Sequence, residues 1–293
     1  LVKAGLRVVA SGRRPGLRAL CDVARIDLAN GVSSEDVAFR IAPRINAPGR
    51  LGEPDDALSL LLTSDRVTAA ALAGSVEQVQ LRRRAVQAEM FAEALDDIRA
   101  AKLDELGGIV VARATWHPGV VGIVAGKIAE QFGKPTIVIG IEGDTGRGSV
   151  RGPAGFPLYD ALELCKSELV QFGGHQAAAG VHVRRERLDA LRAVFSDTCT
   201  RLRQAMPQAA AAEYITLDPR DDPADVLQDL DKLEPFGEGN PAPKLLVPNT
   251  LIRSARNLKG HLKLDMVYEG SAIGGIYFSM GEALEKAVGT TVD

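Results

Sequence analysis

The chain has 293 residues, 46% of them hydrophobic and 25% charged, the proportions of a globular protein of about two domains. A net charge of −3 and an aromatic content of 4% argue against a uniformly basic polyanion binder studded with stacking platforms. No apolar run approaches the ~20 residues that span a bilayer, which excludes a helical membrane protein. Cys21, Cys165 and Cys199 are scattered, without any C-x-x-C pair. They exclude a cysteine-based zinc site and fit a reducing, cytoplasmic setting with buried thiols. The charge is uneven: residues 1–50 hold nine Lys or Arg against four Asp or Glu, an excess that can face phosphate. The sequence opens on Leu1 and stops in strand-forming residues at Thr291-Val292-Asp293, so it reads as a fragment cut at both ends.

Leu17, Leu20 and Val23 keep helical spacing, and Ser33-Ser34-Glu35-Asp36 is a helix start leading to Val37, Phe39 and Ile41. In Ile41-Ala-Pro-Arg-Ile-Asn-Ala-Pro-Gly-Arg50, two prolines and a glycine predict an ordered loop from which Arg44, Asn46 and Arg50 project. Thr63-Ser64-Asp65 can cap a helix running to about Lys102, on the order of 55 Å long at ~1.5 Å per residue. Leu72, Val76, Val79, Val86 and Met90 give it an apolar stripe. Gln80 and Arg83, three apart, share a face that can line a cleft between domains; solvated surface is the plainer alternative.

From Gly107 the pattern becomes α/β. Strands are expected at Ile109–Ala112, Pro135–Ile141 and Arg147–Gly152, with a helix after Trp116-His117-Pro118-Gly119. Another helix should run from Leu158 to Leu169, and Phe172-Gly-Gly-His-Gln-Ala-Ala-Ala-Gly180 reads as a glycine turn presenting His175 among small residues. A strand at Val181–Val183 and a helix from about Glu186 to Gln204 close this unit. Residues 205–212 form an Ala-rich linker. Beyond it come strands at Tyr214–Leu217, Lys244–Val247, Leu251–Ser254, His261–Val267 and Ala272–Phe278, with a short helix from Val226 to Leu233. This regular spacing suggests a small barrel.

No histidine joins a carboxylate at metal-ligand spacing, and no G-x-S-x-G elbow is present, so neither a metal centre nor a serine hydrolase is indicated. Phosphate chemistry is better supported. Ser149 and Arg151, two apart on a strand, point to one face, where a hydroxyl and a forked guanidinium can hold a phosphate from two sides. The His117 turn at a helix start could add an anion site.

Taken in order, Arg44-Ile-Asn-Ala-Pro-Gly-Arg50, Trp116-His-Pro-Gly-Val-Val-Gly-Ile-Val-Ala125, Gly148-Ser-Val-Arg151, Phe172-Gly-Gly-His-Gln-Ala-Ala-Ala-Gly180 and Pro235-Phe-Gly-Glu-Gly-Asn-Pro241 resemble the RecJ family of bacterial single-strand-specific DNA exonucleases. The resemblance covers essentially the whole chain. The GGH-x-x-AAG element by itself is shared by DHH-associated domains generally; the Arg44–Arg50 stretch and the PFGxGNP segment single out RecJ. It implies an α/β fold in three parts: the end of a DHH core with a long connector helix (1–106), a DHH-associated α/β domain with an open sheet (107–205), and a truncated OB-like barrel (213–293). It further implies a 5′-to-3′ exonuclease using Mn²⁺ or Mg²⁺, with single-stranded DNA as partner. Arg44, Asn46, Arg50, Ser149, Arg151 and His175 would bind substrate, His175 in a supporting catalytic role, while Gln80 and Arg83 would meet the strand beyond. The family's Asp-His-His motif does not occur in this chain, so no metal ligand is assigned and the chain alone is expected to be inactive. Gly152 stands where the family usually has a second serine. The alternatives are an oligonucleotide phosphodiesterase of the same superfamily and a catalytically silent binder of single-stranded nucleic acid.

Overall fold

A computed structural model of the protein describes residues 1–206, 214–218, 220–237, 239–278, 280 and 291–292. The chain divides into two compact units, Ala4–Gln208 and Ala209–Asp293, the second together with Leu1–Lys3. Most of the expected linker at 205–212 lies outside the described residues.

After α1 (Val2–Ala10), α2 (Pro15–Val23) starts on a proline whose missing N–H is no loss in a first turn. Asp36 opens a π-helical run to Ile41, and its carboxylate accepts from the Ser33 backbone and hydroxyl. The chain continues directly into α3 (Ala42–Leu51). The loop expected at 41–50 is therefore a helix. Pro43 sits in its first turn, where no hydrogen bond is lost, and Pro48 is buried, so packing offsets the bond its ring removes. Arg44 does not project. It is buried on the inner side of α3, donating to Glu77 from Nε at 2.5 Å and from Nη2 at 3.1 Å, and to the Arg40 carbonyl at 2.6 Å.

After α4 (Asp55–Leu62), Asp65 caps α5 (Arg66–Ala100) by accepting from the Thr68 N–H. This helix buries one side, at steps of four and three from Ala69 to Arg83 and of four from Met90 to Ile98. Ala69, Ala73 and Val76 join the core made with α2 and α4, and Met90, Ala94 and Ile98 join the core under the sheet. Between the two apolar sections the stripe turns polar: Gln80 and Arg83 are buried.

Next come β1 (Ile109–Arg113), α6 (Val121–Phe132), β2 (Thr136–Glu142), β3 (Thr145–Arg151), α7 (Leu158–Leu164), β4 (Gln171–His175), β5 (Ala178–Arg184) and α8 (Leu188–Ala205). The sheet order is β1-β2-β3-β5-β4; β1 and β2 pair in parallel and all other neighbours are antiparallel. The glycine turn expected at Phe172–His175 is instead the edge strand β4, and α7 stops earlier than Leu169. Glycine's low strand preference hid β4. Gly174, at φ +149°, accommodates an approach that no side chain allows, since a Cβ there would lie 2.4 Å from the Ala178 carbonyl.

One sheet face is covered by α7 and α8 around Val110, Ile137, Ile139, Val150, Val181 and Phe195. On the other face, α6 and the end of α5 cover Ile109, Val111 and Val138. Arg113 at the end of β1 is clamped by Asp97 and Glu93, and Glu93 also accepts from the Trp116 indole at 2.6 Å. These bonds fix the loop that delivers α6. The outer strands of this second face remain open.

The second unit holds β6 (Ile215–Thr216), α9 (Pro223–Asp231) and β7 (Leu245–Leu246), with β6 and β7 parallel. Then β8 (Thr250–Leu258), β9 (His261–Tyr268), β10 (Ser271–Tyr277) and β11 (Thr291–Val292) form an antiparallel sheet in the order β10-β9-β8-β11. Among the described residues this sheet is open, not a closed barrel.

Candidate functional site

The open sheet face is read directly from strand register, because paired residues of an antiparallel sheet point the same way. Arg151, Ala178 and His175 form one row across β3, β5 and β4; Ser149, Gly180 and Gly173 form the next; Arg147, His182 and Gln171 the third. At ~4.8 Å between strands, the Cα atoms of Arg151 and His175 lie roughly 10 Å apart, within reach of one phosphate from two sides. The middle of the face is a flat floor of Ala178, Gly180 and Gly173. A Cβ on Gly173 would meet nothing within 4 Å, so packing does not require glycine there. The missing side chain keeps the surface clear.

The first turn of α6 closes the face on the β2 side. A Cβ on Gly122 would stand 3.1 Å from the Ser149 hydroxyl and 3.3 Å from the Arg151 guanidinium, so both side chains lie against this helix start. Arg151 donates from Nη1 to Ser149 Oγ at 2.9 Å and to the Val150 carbonyl at 2.8 Å, which orients the guanidinium along the strand. The backbone of Gly119, just before α6, rests on α3, where a Cβ would be 1.9 Å from the Arg50 carbonyl. Arg50 in turn donates to the Gly119 carbonyl at 3.4 Å.

Arg50, Arg83 and Arg151 thereby share one electrostatic environment. Burial lowers the pKa of Arg83 below the ordinary arginine value, and the like charges of Arg84 and Arg50 lower it further. Burial and the charge of Arg50 lower Arg151 in the same way. Among the described residues none of the three is paired with a carboxylate, whereas buried Arg44 is. Arg83 is held from below: Nε donates to Gln80 at 3.1 Å and Nη1 to Gln87 at 2.5 Å. Gln80 Nε2 is fully buried with no partner. A gathering of cations without carboxylate partners can take up an anion rich in acceptor oxygens.

The structure thus brings together Arg50, Gln80, Arg83, Ser149 and Arg151, and puts His175 on the same open sheet face. Asn46 is exposed four residues before Arg50 on α3, and Arg44 is committed to Glu77. Sequence reasoning missed Gly119 and Gly122, whose role is closeness, and Arg147, which continues the period-two series of Ser149 and Arg151. No group of three or more His, Cys, Asp or Glu among the described residues is placed to hold a metal ion.

Two family models match successive stretches of the chain, the DHHA1 domain over residues 106–201 and the RecJ OB domain over 215–293. The single-stranded-DNA-specific exonuclease RecJ of Bacillus subtilis is 34% identical across 97% of the chain. The chain belongs to the RecJ family. RecJ of Escherichia coli is 31% identical across 95% of the chain. The chain spans 37% of the length of the B. subtilis RecJ and 50% of the E. coli one. The crystal structure of Thermus thermophilus RecJ in complex with Mn²⁺ superposes with a TM-score of 0.77 at 32% identity, over 94% of this chain and 40% of that one. The same RecJ in complex with Mg²⁺ gives 0.77 at 33% identity, over 93% and 42%.

Proposed function

We propose that this chain is the DNA-gripping part of a RecJ-type 5′-to-3′ exonuclease that hydrolyses phosphodiester bonds in single-stranded DNA during repair and recombination. The observation that carries the reading is the cluster of Arg50, Arg83 and Arg151 without a carboxylate beside it. Phosphates of the strand would supply the missing charge. Ser149 and Arg151 would hold a terminal or scissile phosphate with Arg50, His175 would approach it from the edge strand, and Gln80 with Arg83 would grip the strand further on. Asn46 would add a polar contact beside Arg50; Arg44 would serve indirectly, fixing α3 against α5. By part, 1–106 would be the end of a DHH core and its connector, 107–205 the DHH-associated domain and 213–293 the OB-like module. The three buried free cysteines support a cytoplasmic setting.

Mn²⁺ or Mg²⁺, the ions in the structures of the related RecJ, would serve the full enzyme. The donors gathered here do not fit them: guanidinium and amide N–H groups repel or ignore a cation, and hard cations take oxygen ligands. No hydrolytic step is therefore assigned to the residues of this chain. The purified chain with labelled single-stranded DNA and Mn²⁺ is expected to show no chelator-sensitive degradation; such degradation would show that this chain holds a catalytic metal site of its own.

Binding tests the reading directly. Affinity for a labelled single-stranded oligonucleotide should fall with salt, each neutralised phosphate adding about 0.7 to the slope of log K against log salt. Arg83→Ala should lower that slope by about 0.7 and weaken binding alike for every sequence. Affinity indifferent to salt would overturn the phosphate reading.

A further inference from the structure

Arg50 and Arg151 stand far apart in sequence, on α3 and β3, and carry like charges, so they do not hold each other in place. Between them lie the loop 114–120 and the start of α6. On one side the Gly119 backbone rests on the Arg50 carbonyl, and the Arg50 guanidinium donates to the Gly119 carbonyl at 3.4 Å. On the other, Gly122 faces the Ser149 hydroxyl and the Arg151 guanidinium. The segment is a spacer between two cations. Its position sets how closely both guanidiniums can approach one phosphate.

Three sets of contacts hold the spacer. The turn is closed on itself: the Val120 and Val121 N–H groups donate to the His117 carbonyl at 2.9 and 3.3 Å, and the Gly119 N–H donates to His117 Nδ1 at 3.1 Å. The Trp116 carbonyl lies against β2, where a Cβ on Gly140 would fall 2.5 Å from it. The third contact comes from α5, whose Glu93 Oε2 accepts from the Trp116 indole at 2.6 Å. Glu93 lies ten residues beyond Arg83 on that helix, roughly 15 Å along its axis. Its other oxygen meets Arg113 at 3.1 Å, yet Arg113 also binds both oxygens of Asp97, so the end of β1 stays clamped without Glu93. The indole has no such second partner among the described residues. Its ring is 3% exposed, so a lost acceptor leaves a buried donor unsatisfied. The loop would then move to satisfy it, and a shift of about 1 Å is enough to spoil a forked contact with phosphate.

We propose that Glu93 is a positioning residue of the phosphate site: by holding the Trp116 indole it fixes the loop 114–120 as the spacer between Arg50 and Arg151, so that both guanidiniums close on one phosphate. The proposal rests on the phosphate reading of those two arginines. Glu93 itself touches no part of the DNA; it acts through Trp116 and the loop. One helix thereby serves the site twice, carrying Arg83 directly and setting the Arg50–Arg151 spacing from Glu93.

Salt titrations of the 293-residue chain with a labelled single-stranded oligonucleotide test this. Glu93→Ala should weaken binding roughly tenfold and lower the slope of log K against log salt by about 0.7, the share of one phosphate. Glu93→Gln should restore both, because the amide oxygen still accepts from the indole. Trp116→Phe keeps a ring in the core and removes the donor. It should reproduce the loss with Glu93 in place, and the double variant with Glu93→Ala should be no worse than either single one. Trp116 is the only tryptophan of the chain, so its emission should shift in Glu93→Ala and not in Glu93→Gln. Should Glu93→Ala fail to fold, Trp116→Phe carries the test. A merely stabilising contact would lower the unfolding midpoint and leave the salt slope untouched, and that result in Glu93→Ala or Trp116→Phe would overturn the assignment. Arg151→Ala tells the two readings apart. If it lowers the slope while Glu93→Ala and Trp116→Phe do not, the phosphate site stands and the positioning role falls. If it leaves the slope unchanged, the phosphate reading falls and takes this inference with it.

Discussion

Replacing Arg151 by alanine in the complete nuclease is expected to lower kcat/KM by roughly ten- to a hundredfold, the equivalent of ~1.5–3 kcal/mol for a lost charge-assisted bond. The protein should not become less stable. Arg151 is only half-buried, its ordinary protonation is opposed by burial and by Arg50, and it holds no carboxylate whose loss would leave a stranded charge. Its removal relieves repulsion within the cluster, so the urea midpoint should stay put or rise slightly. Arg151→Lys should recover part of the activity, because an ammonium restores charge but not the fork that bonds Ser149 and a phosphate together. A variant that lost activity and stability in parallel would identify Arg151 as a packing residue and sink the assignment.

The second large effect concerns the fold and separates two glycine roles. Gly119→Ala should destabilise the larger unit by roughly 3 kcal/mol, because overpacking a rigid contact costs in this range. The new methyl would fall 1.9 Å from the Arg50 carbonyl, and both partners are backbone, so neither can swing aside. Since Arg50 sits at that contact, binding should weaken as well. Gly173→Ala is the counterpart. Its Cβ would enter open space, so the unfolding free energy should shift by no more than ~0.5 kcal/mol while the affinity for single-stranded DNA drops. Chemical denaturation of the two variants beside an oligonucleotide titration decides the matter. If Gly173→Ala bound DNA normally, the floor between Ser149 and His175 would not be a binding surface.

Much of this was legible in the sequence where period and chemistry agreed. The Asp65 cap, the three- and four-residue spacing of α5 and the valine-rich strands placed those elements within a few residues. The period-two relation of Ser149 to Arg151 put them on one face, as observed. Two stretches misled, each through a residue whose local preference was overruled by packing. Pro48 breaks helices in isolation, yet buried against its neighbours it is held in α3. Gly173 and Gly174 disfavour strands, yet the register with β5 keeps β4 extended. Arg44 was misplaced for a related reason: a sequence does not reveal that Glu77, thirty-three residues away, will neutralise it. Closeness without chemistry, as at Gly119 and Gly122, leaves no mark in the pattern of one chain.

The stripe along α5 also constrains how the family can change its length. Its apolar ends dock in separate cores, and its polar middle buries Gln80 and Arg83 between them. Deleting one residue from this helix would turn everything beyond it by ~100° and draw it back ~1.5 Å. Met90, Ala94 and Ile98 would then leave the sheet, or Ala69, Ala73 and Val76 their own core. The helix therefore works as a ruler with marks at both ends. Relatives should differ in its residue types far more readily than in its residue count, and length changes should collect in the turns on either side.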